Sequence, residues 1–332
     1  MELSQPPGST PGRPAPSLGV TPGGSVRRPP DRTAPPPSLS YELYPPRCAA
    51  SAETLLRTIE ELEPTRPDHV AVTYSGDAPR RAGSLALLDH LLARTGLRPL
   101  AHLTCVGSTR AELEETVTSL LHRGVRGVLA LRGDLEPDAE PGELAHAGDL
   151  VELVREVEQR HTASLAGGRL AVGVAAYPTR HPESPSFRHD IEVLLAKQRA
   201  GADFAITQVY FRPQRYERLV ASARAAGVTI PIVPGIMPVT EPRRLATLCR
   251  LAGLRPHPGL AAALEEAAGP AERHRAGVAF ATRLARAALD AGAPGLHLYT
   301  FNEHRAALDL LERVDLPRVP HQPAALPDLL PA

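Results

Sequence analysis

Leu131-Arg132-Gly133-Asp134 places two opposite charges and a glycine directly after the apolar run Gly127-Val128-Leu129-Ala130. A guanidinium offers a planar fork of donors to phosphate or carboxylate oxygens, and a carboxylate accepts from two adjacent N–H groups. Similar polar punctuation follows the other apolar runs: Glu42, Thr73 with Tyr74, His102 with Thr104, Tyr177 and His181, Gln208, and Tyr299. Brought to one place, these side chains would supply an acid, imidazoles, aromatic rings, and donors and acceptors for a large planar ligand.

The elements that would gather them are readable as a cycle of apolar run, polar cluster and helically spaced segment. The strand-like runs are residues 39–43, 69–73, 98–104, 127–131, 170–176, 204–210, 231–236 and 295–299. Their continuous apolarity marks strands buried on both faces, as in parallel sheets covered by helices. Between them, residues 112–122 carry Leu113, Val117, Leu120 and Leu121 on one stripe, with Thr109 and Glu112 spaced as a capping box, and residues 191–199 form another helix. Residues 255–292 read as two helices broken at Pro270 and stopped at Gly292, and 306–314 as a closing helix. Eight units predict an α/β fold of the (β/α)8 TIM barrel kind; the competitor is a doubly wound open sheet, but no GxGxxG follows any strand. In a barrel, residues just past each strand share one rim, which is how distant positions converge.

Composition narrows the functional classes. The chain has 332 residues and balances 37 basic against 37 acidic side chains. That leaves no general field for nucleic acid or an acidic membrane, so neither partner is expected. Cys48, Cys105 and Cys249 form no metal-spaced cluster; no metal site or disulfide framework is expected, and a reducing compartment follows. With no secretory h-region and no run long enough to span a bilayer, the expectation is a cytoplasmic protein; a homo-oligomer is left open. Residues 1–37 hold eleven prolines and few bulky apolar side chains, predicting a disordered proline-rich extension, with 38–316 as the catalytic barrel and 317–332 as a frayed tail.

Eight segments in order, from about 38 to 305, resemble the methylenetetrahydrofolate reductase family. They are Ser-Tyr-Glu-Leu-Tyr-Pro-Pro-Arg (40–47), Val-Thr-Tyr (72–74), Ala-His-Leu-Thr-Cys (101–105), Leu-Ala-Leu-Arg-Gly-Asp (129–134), Ala-Ala-Tyr-Pro-Thr-Arg-His-Pro-Glu (175–183), Gly-Ala-Asp-Phe-Ala-Ile-Thr-Gln (201–208), Pro-Ile-Val-Pro-Gly-Ile-Met-Pro (231–238) and Gly-Leu-His-Leu-Tyr-Thr-Phe-Asn (295–302). The resemblance implies a flavin-dependent barrel that reduces 5,10-methylenetetrahydrofolate to 5-methyltetrahydrofolate. Electrons would come from NADH or NADPH through FAD by a ping-pong mechanism, in one-carbon metabolism and methionine biosynthesis.

Carried over by position, Glu42 matches the general acid, kept protonated by flanking Leu43, Tyr44 and Pro45, and Asp134 the carboxylate between flavin and folate. Arg132, His181 and Lys197 match contacts to the FAD phosphates and ribityl, Asp190 a ribose contact, and Tyr74, His102, Ala147 and Tyr177 further flavin contacts. Gly76 and Gly133 match close backbone approach. Thr73 and Gln208 match residues that meet the nicotinamide and the pterin in turn, and Tyr299 joins Asp134 and Gln208 on the substrate side. The chain also departs from the family pattern. A common Phe corresponds to Pro242 and a common Arg to Glu303, with Arg305 as the candidate replacement cation; Ser75 to Pro79 and His146 differ as well. Pro242 and Glu303 motivate one alternative, a divergent flavin barrel reducing another C–N substrate; the other is a non-catalytic folate- or FAD-binding paralogue with the Pro-rich tail as its contact.

Overall fold

The computed structural model describes residues 38–74, 78–134, 142–165, 168–314 and 316. The expected N-terminal extension, Gly76 and the C-terminal tail lie outside them. Strands and helices alternate as β1 (Ser38–Leu43), α1 (Ala49–Leu62), β2 (His69–Val72), α2 (Ala78–Arg94), β3 (Pro99–Thr104), α3 (Arg110–Arg123), β4 (Gly127–Leu131), α4 (Ala147–Arg160), β5 (Ala171–Ala176), α5 (Phe187–Arg199), β6 (Phe204–Thr207) and α6 (Pro213–Ala225). They continue as β7 (Ile232–Val233), β8 (Gly235–Ile236), α7 (Pro242–Leu251), α8 (Pro258–Glu265), α9 (Pro270–Asp290), β9 (Gly295–Tyr299) and α10 (Arg305–Arg313).

All pairings are parallel, and the order β7-β6-β5-β4-β3-β2-β1-β9-β8 closes on itself, because β7 and β8 are the two halves of one barrel strand. Pro234 separates them. Its missing N–H cannot continue a ladder, so β7 pairs with β6 through Ala205 and Ile206, and β8 with β9 through His297 and Leu298. The barrel expected from eight apolar runs is therefore present, with the run 231–236 divided. Two other strands end earlier than their runs: β2 at Val72 and β6 at Thr207. Thr73 and Gln208 thereby fall in the loops above the rim, where side chains can turn towards a ligand.

Local signals account for the helix boundaries. The Thr109 hydroxyl accepts from Glu112 N while Glu112 Oε2 accepts from Thr109 N, which fixes the start of α3. Helix α5 begins a turn before residue 191, because the Ser186 hydroxyl accepts from His189 N. Pro242, Pro258 and Pro270 each open a helix instead of ending one. Proline's locked φ suits the first turn, where its missing donor is not needed. Among the described residues no helix is long and apolar enough to cross a membrane.

Alternation along each strand divides the core. Leu39, Tyr41 and Leu43 point outward into the apolar layer beneath the helices. Ala71, Leu100, Leu129 and Ile206, with Phe204 and Leu131, pack inside the barrel. Gly173 has to be a glycine there: a Cβ would lie 2.7 Å from Phe204 Cζ and 2.9 Å from Leu129 Cδ1. This packed interior is the floor on which the rim residues stand.

Candidate active site

A cavity of about 1290 Å³ opens at the C-terminal ends of the strands. Every sequence-expected residue within the described structure lines it. Its volume exceeds the roughly 300–1,000 Å³ of an ordinary small-molecule pocket, so it has room for a dinucleotide and a second ligand.

On the side built by β1, β3 and β9 the groups are kept uncharged. Glu42 Oε2 lies 3.6 Å from His102 Nε2 and 4.0 Å from His297 Nε2. Burial pushes the Glu42 carboxyl above its ordinary range; a charged His102 would pull it down, but burial also lowers the His102 imidazole. Both shifts run towards the uncharged forms of the pair. Leu43 is not what desolvates Glu42, contrary to the sequence expectation, because successive side chains on a strand point to opposite faces and Leu43 sits in the outer layer. The barrel interior does so. Burial lowers His297 to about 3, and its Nδ1 is 2.9 Å from the Ser40 hydroxyl. Beneath it His69, lowered to about 4 by burial and by His297, stacks at 6.4 Å between ring centroids. Tyr299 is committed through its hydroxyl to Thr207 O at 3.0 Å, so it offers the cavity its ring. That ring leans on Gly235, where a Cβ would fall 2.7 Å from Tyr299 Cε2 and 2.3 Å from Thr207 O.

The β4–β5 side carries charge. Arg132 Nη1 meets Glu183 Oε2 at 2.5 Å, and this bond holds the Glu183 carboxyl below its usual range. Tyr177 packs edge-on against His181, 4.7 Å between centroids, and burial raises its hydroxyl. Asp190 Oδ2 accepts from His181 N at 3.1 Å, tying α5 to the loop above β5. Lys197 is only 8% exposed; its ammonium donates to Ala175 O at 3.0 Å, and burial lowers it to about 8. It is the only lysine among the 37 basic residues of the chain. A sequence that uses arginine everywhere else keeps a compact, titratable ammonium at this one place.

Gly133 has φ +93, a conformation that disfavours side chains, and a Cβ would lie 2.5 Å from Val106 Cγ1. Its missing side chain thus accommodates Val106 and a left-handed turn at the edge of the cavity. Asp134 is exposed beside it. Ala147 opens α4, and His146 N donates to Asp149 Oδ2 at 2.8 Å, capping the helix. Thr73 O accepts from the Ser84 hydroxyl at 2.7 Å, steadying the loop that carries Thr73 and buried Tyr74. Gln208 Oε1 accepts from Val209 N at 2.8 Å, leaving the NH2 end of the amide for a ligand.

Sequence reasoning missed His297 and Met237, which also line the cavity. His297 lies two residues before Tyr299, so strand alternation puts both side chains inside; reading 295–299 as one apolar run hid that signal. The departures at Pro242 and Glu303 fall together. Pro242 opens α7, and Glu303 pairs with Arg244, whose guanidinium lies 5.0 Å above the Phe301 ring. Arg244 is therefore the cation beside Glu303, while Arg305 is exposed at the start of α10.

Comparison with known proteins places these features in context. A family model described as methylenetetrahydrofolate reductase matches residues 31–315. The 5,10-methylenetetrahydrofolate reductases of Salmonella typhimurium and Escherichia coli are each 32% identical over 266 residues, covering 80% of this chain and 86% of theirs. An uncharacterized Clostridium thermocellum protein, described as binding two copies of 5-methyl-5,6,7,8-tetrahydrofolic acid, shares the fold. Its TM-score is 0.59 at 14% identity, over 83% of this chain and 94% of that one.

Proposed function

The chain belongs to the methylenetetrahydrofolate reductase family, and from that premise we propose that it reduces 5,10-methylenetetrahydrofolate to 5-methyltetrahydrofolate with NADH or NADPH through bound FAD. The observation that carries the reading is Glu42, a carboxyl raised by burial and flanked by neutral imidazoles, in the same cavity as Asp134 and Gln208.

The residues present fit FAD. The cavity is large enough, and Gly148 leaves an open face where a Cβ would meet nothing within 4 Å. Arg132, His181 and the buried Lys197 would hold the phosphates and ribityl, Asp190 a ribose, and Tyr74, His102, Ala147 and Tyr177 the rest. When bound, FAD supplies hydride transfer between two ligands that occupy the site in turn, which is ping-pong chemistry.

Glu42 has the chemical task that the folate imposes. Opening the five-membered ring breaks the bond between the methylene carbon and the nitrogen carrying the aminobenzoyl group. That nitrogen needs a proton to leave, and the carbon, left as an iminium, accepts a hydride. Glu42 keeps its proton for this step because His102 and His297 stay neutral. Asp134 would accept from the side-by-side N–H groups of the pterin, and the Gln208 amide would donate to it, with the Tyr299 ring and Thr73 shaping the ligand faces. The product's place is in one-carbon metabolism leading to methionine.

The test is the visible spectrum of the purified protein, followed by anaerobic bleaching with NADH or NADPH and recovery on adding methylenetetrahydrofolate. Recovery with formation of 5-methyltetrahydrofolate is expected. Bleaching without recovery would favour a reductase of another C–N substrate, and colourless protein that stays inactive with added FAD would overturn the cofactor assignment.

A further inference from the structure

The neutral wall of the cavity rests on a polar layer inside the barrel. Ser40 pairs in register with His69 on one side and His297 on the other, so the three side chains share one level of the interior. Around them that interior is apolar, filled by Ala71, Leu100, Leu129 and Ile206. Imidazoles in such surroundings cost desolvation unless their nitrogens are matched. The His297 ring is wholly buried: Ser40 Oγ lies 2.9 Å from its Nδ1, the Tyr299 ring meets it edge-on at 4.9 Å, and the His69 ring stacks on it at 6.4 Å. Glu42 and His102 are the other ionisable groups that face it.

Among the described residues, His297 Nε2 and His102 Nε2 have no hydrogen-bond partner, and both face the same atom, Glu42 Oε2, at 4.0 Å and 3.6 Å. These separations exceed a hydrogen bond by less than about 1 Å, and catalytic hydrogen bonds of this kind tighten once the ligand is in place. Counting donors fixes the protons. One carboxyl oxygen can give its proton to a single nitrogen, yet it can accept from two N–H groups at once. Two nitrogens converging on one oxygen are therefore both satisfied only when both carry hydrogen. For His297 that tautomer leaves Nδ1 as an acceptor, and the Ser40 hydroxyl is placed to donate to it. The transferable proton of Glu42 then belongs on Oε1, and the side chain, 24% exposed, opens on the cavity.

We propose that His297, locked in this tautomer by Ser40, is a positioning residue for Glu42: its Nε2–H holds Oε2, turns the protonated Oε1 towards the folate, and supports the carboxylate that remains after proton transfer. The inference rests on the functional reading above and adds to it His297 and Ser40, a residue buried beneath the cavity. In the step itself the proton passes from Oε1 to the folate nitrogen. The bond from that nitrogen to the methylene carbon breaks with its electron pair going to nitrogen, and the negative charge stays on Glu42. An N–H already aimed at Oε2 meets that charge without reorganisation.

The experiment compares His297→Leu, His297→Gln and Ser40→Ala with wild type in the flavin-loaded protein. It follows, across pH, the rate at which methylenetetrahydrofolate reoxidises the bleached flavin, together with the infrared C=O band of protonated Glu42, assigned by its loss in Glu42→Gln. Wild-type reoxidation should fall as pH rises through the Glu42 pKa, since only the acid form donates. His297→Leu removes an N–H that favours the carboxylate, so this fall is expected about one pH unit higher, with a plateau up to about tenfold slower. The folate KM and bleaching by the nicotinamide nucleotide should not change, and the C=O band should move to higher frequency as the carbonyl loses a donor. His297→Gln, whose amide NH2 reaches the place of Nε2, should restore both readouts, and Ser40→Ala should shift both part of the way. Ser40→Ala, the loss of one oxygen, also carries the test if His297→Leu does not fold. A slower rate with pH profile and band unmoved in these variants, wild-type turnover being intact, would reduce His297 to packing and overturn the positioning role alone. Wild-type protein that bleaches but does not reduce the folate would overturn the functional reading and this inference with it.

Discussion

The two sides of the barrel mouth are built alike, from residues just past parallel strands, yet one is neutral and the other charged. Around β1, β3 and β9, Glu42, His102, His297 and Tyr299 are enclosed, and burial shifts every one towards its uncharged form. Around β4, β5 and α5, Arg132 meets Glu183, Asp190 meets a backbone N–H, and Lys197 keeps an ammonium that titrates only near 8. The difference is one of counter-ions. The loop above β5 supplies Glu183 and the first turn of α5 supplies Asp190, whereas the neighbours of Glu42 are imidazoles that lose their charge more readily than they stabilise a carboxylate. An uncharged carboxyl and a set of cations can thus share one rim without neutralising each other.

Four substitutions probe that division. The largest effect is expected from Glu42→Gln on the neutral side: folate reduction falls by about 10²–10⁴-fold, while cofactor colour and bleaching by NADH or NADPH persist. Loss of colour in this variant would break the division. Lys197→Ala on the charged side should do the reverse, weakening FAD by roughly 10- to 100-fold in a titration of apoprotein, with turnover recovering at saturating FAD. Gly133→Ala forces a side chain into φ +93 against Val106; a loss of about 1–3 kcal/mol in stability is expected, read by denaturant melts.

The smallest effect sharpens the neutral side. His69 and His297 are held at about 4 and about 3 against an ordinary 6.5. Below pH 6.5 the unfolded chain binds protons that the folded one refuses, so stability falls with pH down to about 4. Each imidazole contributes up to about 1.4 kcal/mol per pH unit. Glu42, raised in the fold, acts with the opposite sign and favours the folded state as pH falls. His69→Phe should remove one proton's worth of the acid slope; an unchanged slope would show that His69 is not held neutral.

Most of the fold was legible because its signals are local. Apolar runs buried on both faces and the Thr109–Glu112 box each act within a few residues. The division of the seventh strand was not, since Pro234 matters only through what its neighbours pair with. The site was legible as a set of rim residues, and the family resemblance supplied their expected roles. Geometry changed two reasons: the barrel interior desolvates Glu42 in place of Leu43, and Arg244 stands beside Glu303 in place of Arg305. Those are contacts between residues far apart in the chain, which composition and spacing do not encode. His297 was within reach, two residues from Tyr299 on the same strand face.

The divided seventh strand sets how the ring breathes. Every other junction of the barrel has at least three residues in register, but the two flanking Pro234 have two each. Opening by local fluctuation is easiest where the fewest ladder bonds must part together. The amides of residues 205 and 297, which donate to Pro231 O and Pro234 O across these junctions, should exchange with deuterium sooner than those of β3 and β4. Tyr299 and Met237 border this line, so the rim between β6 and β9 is the part of the barrel with the most freedom to part and reclose.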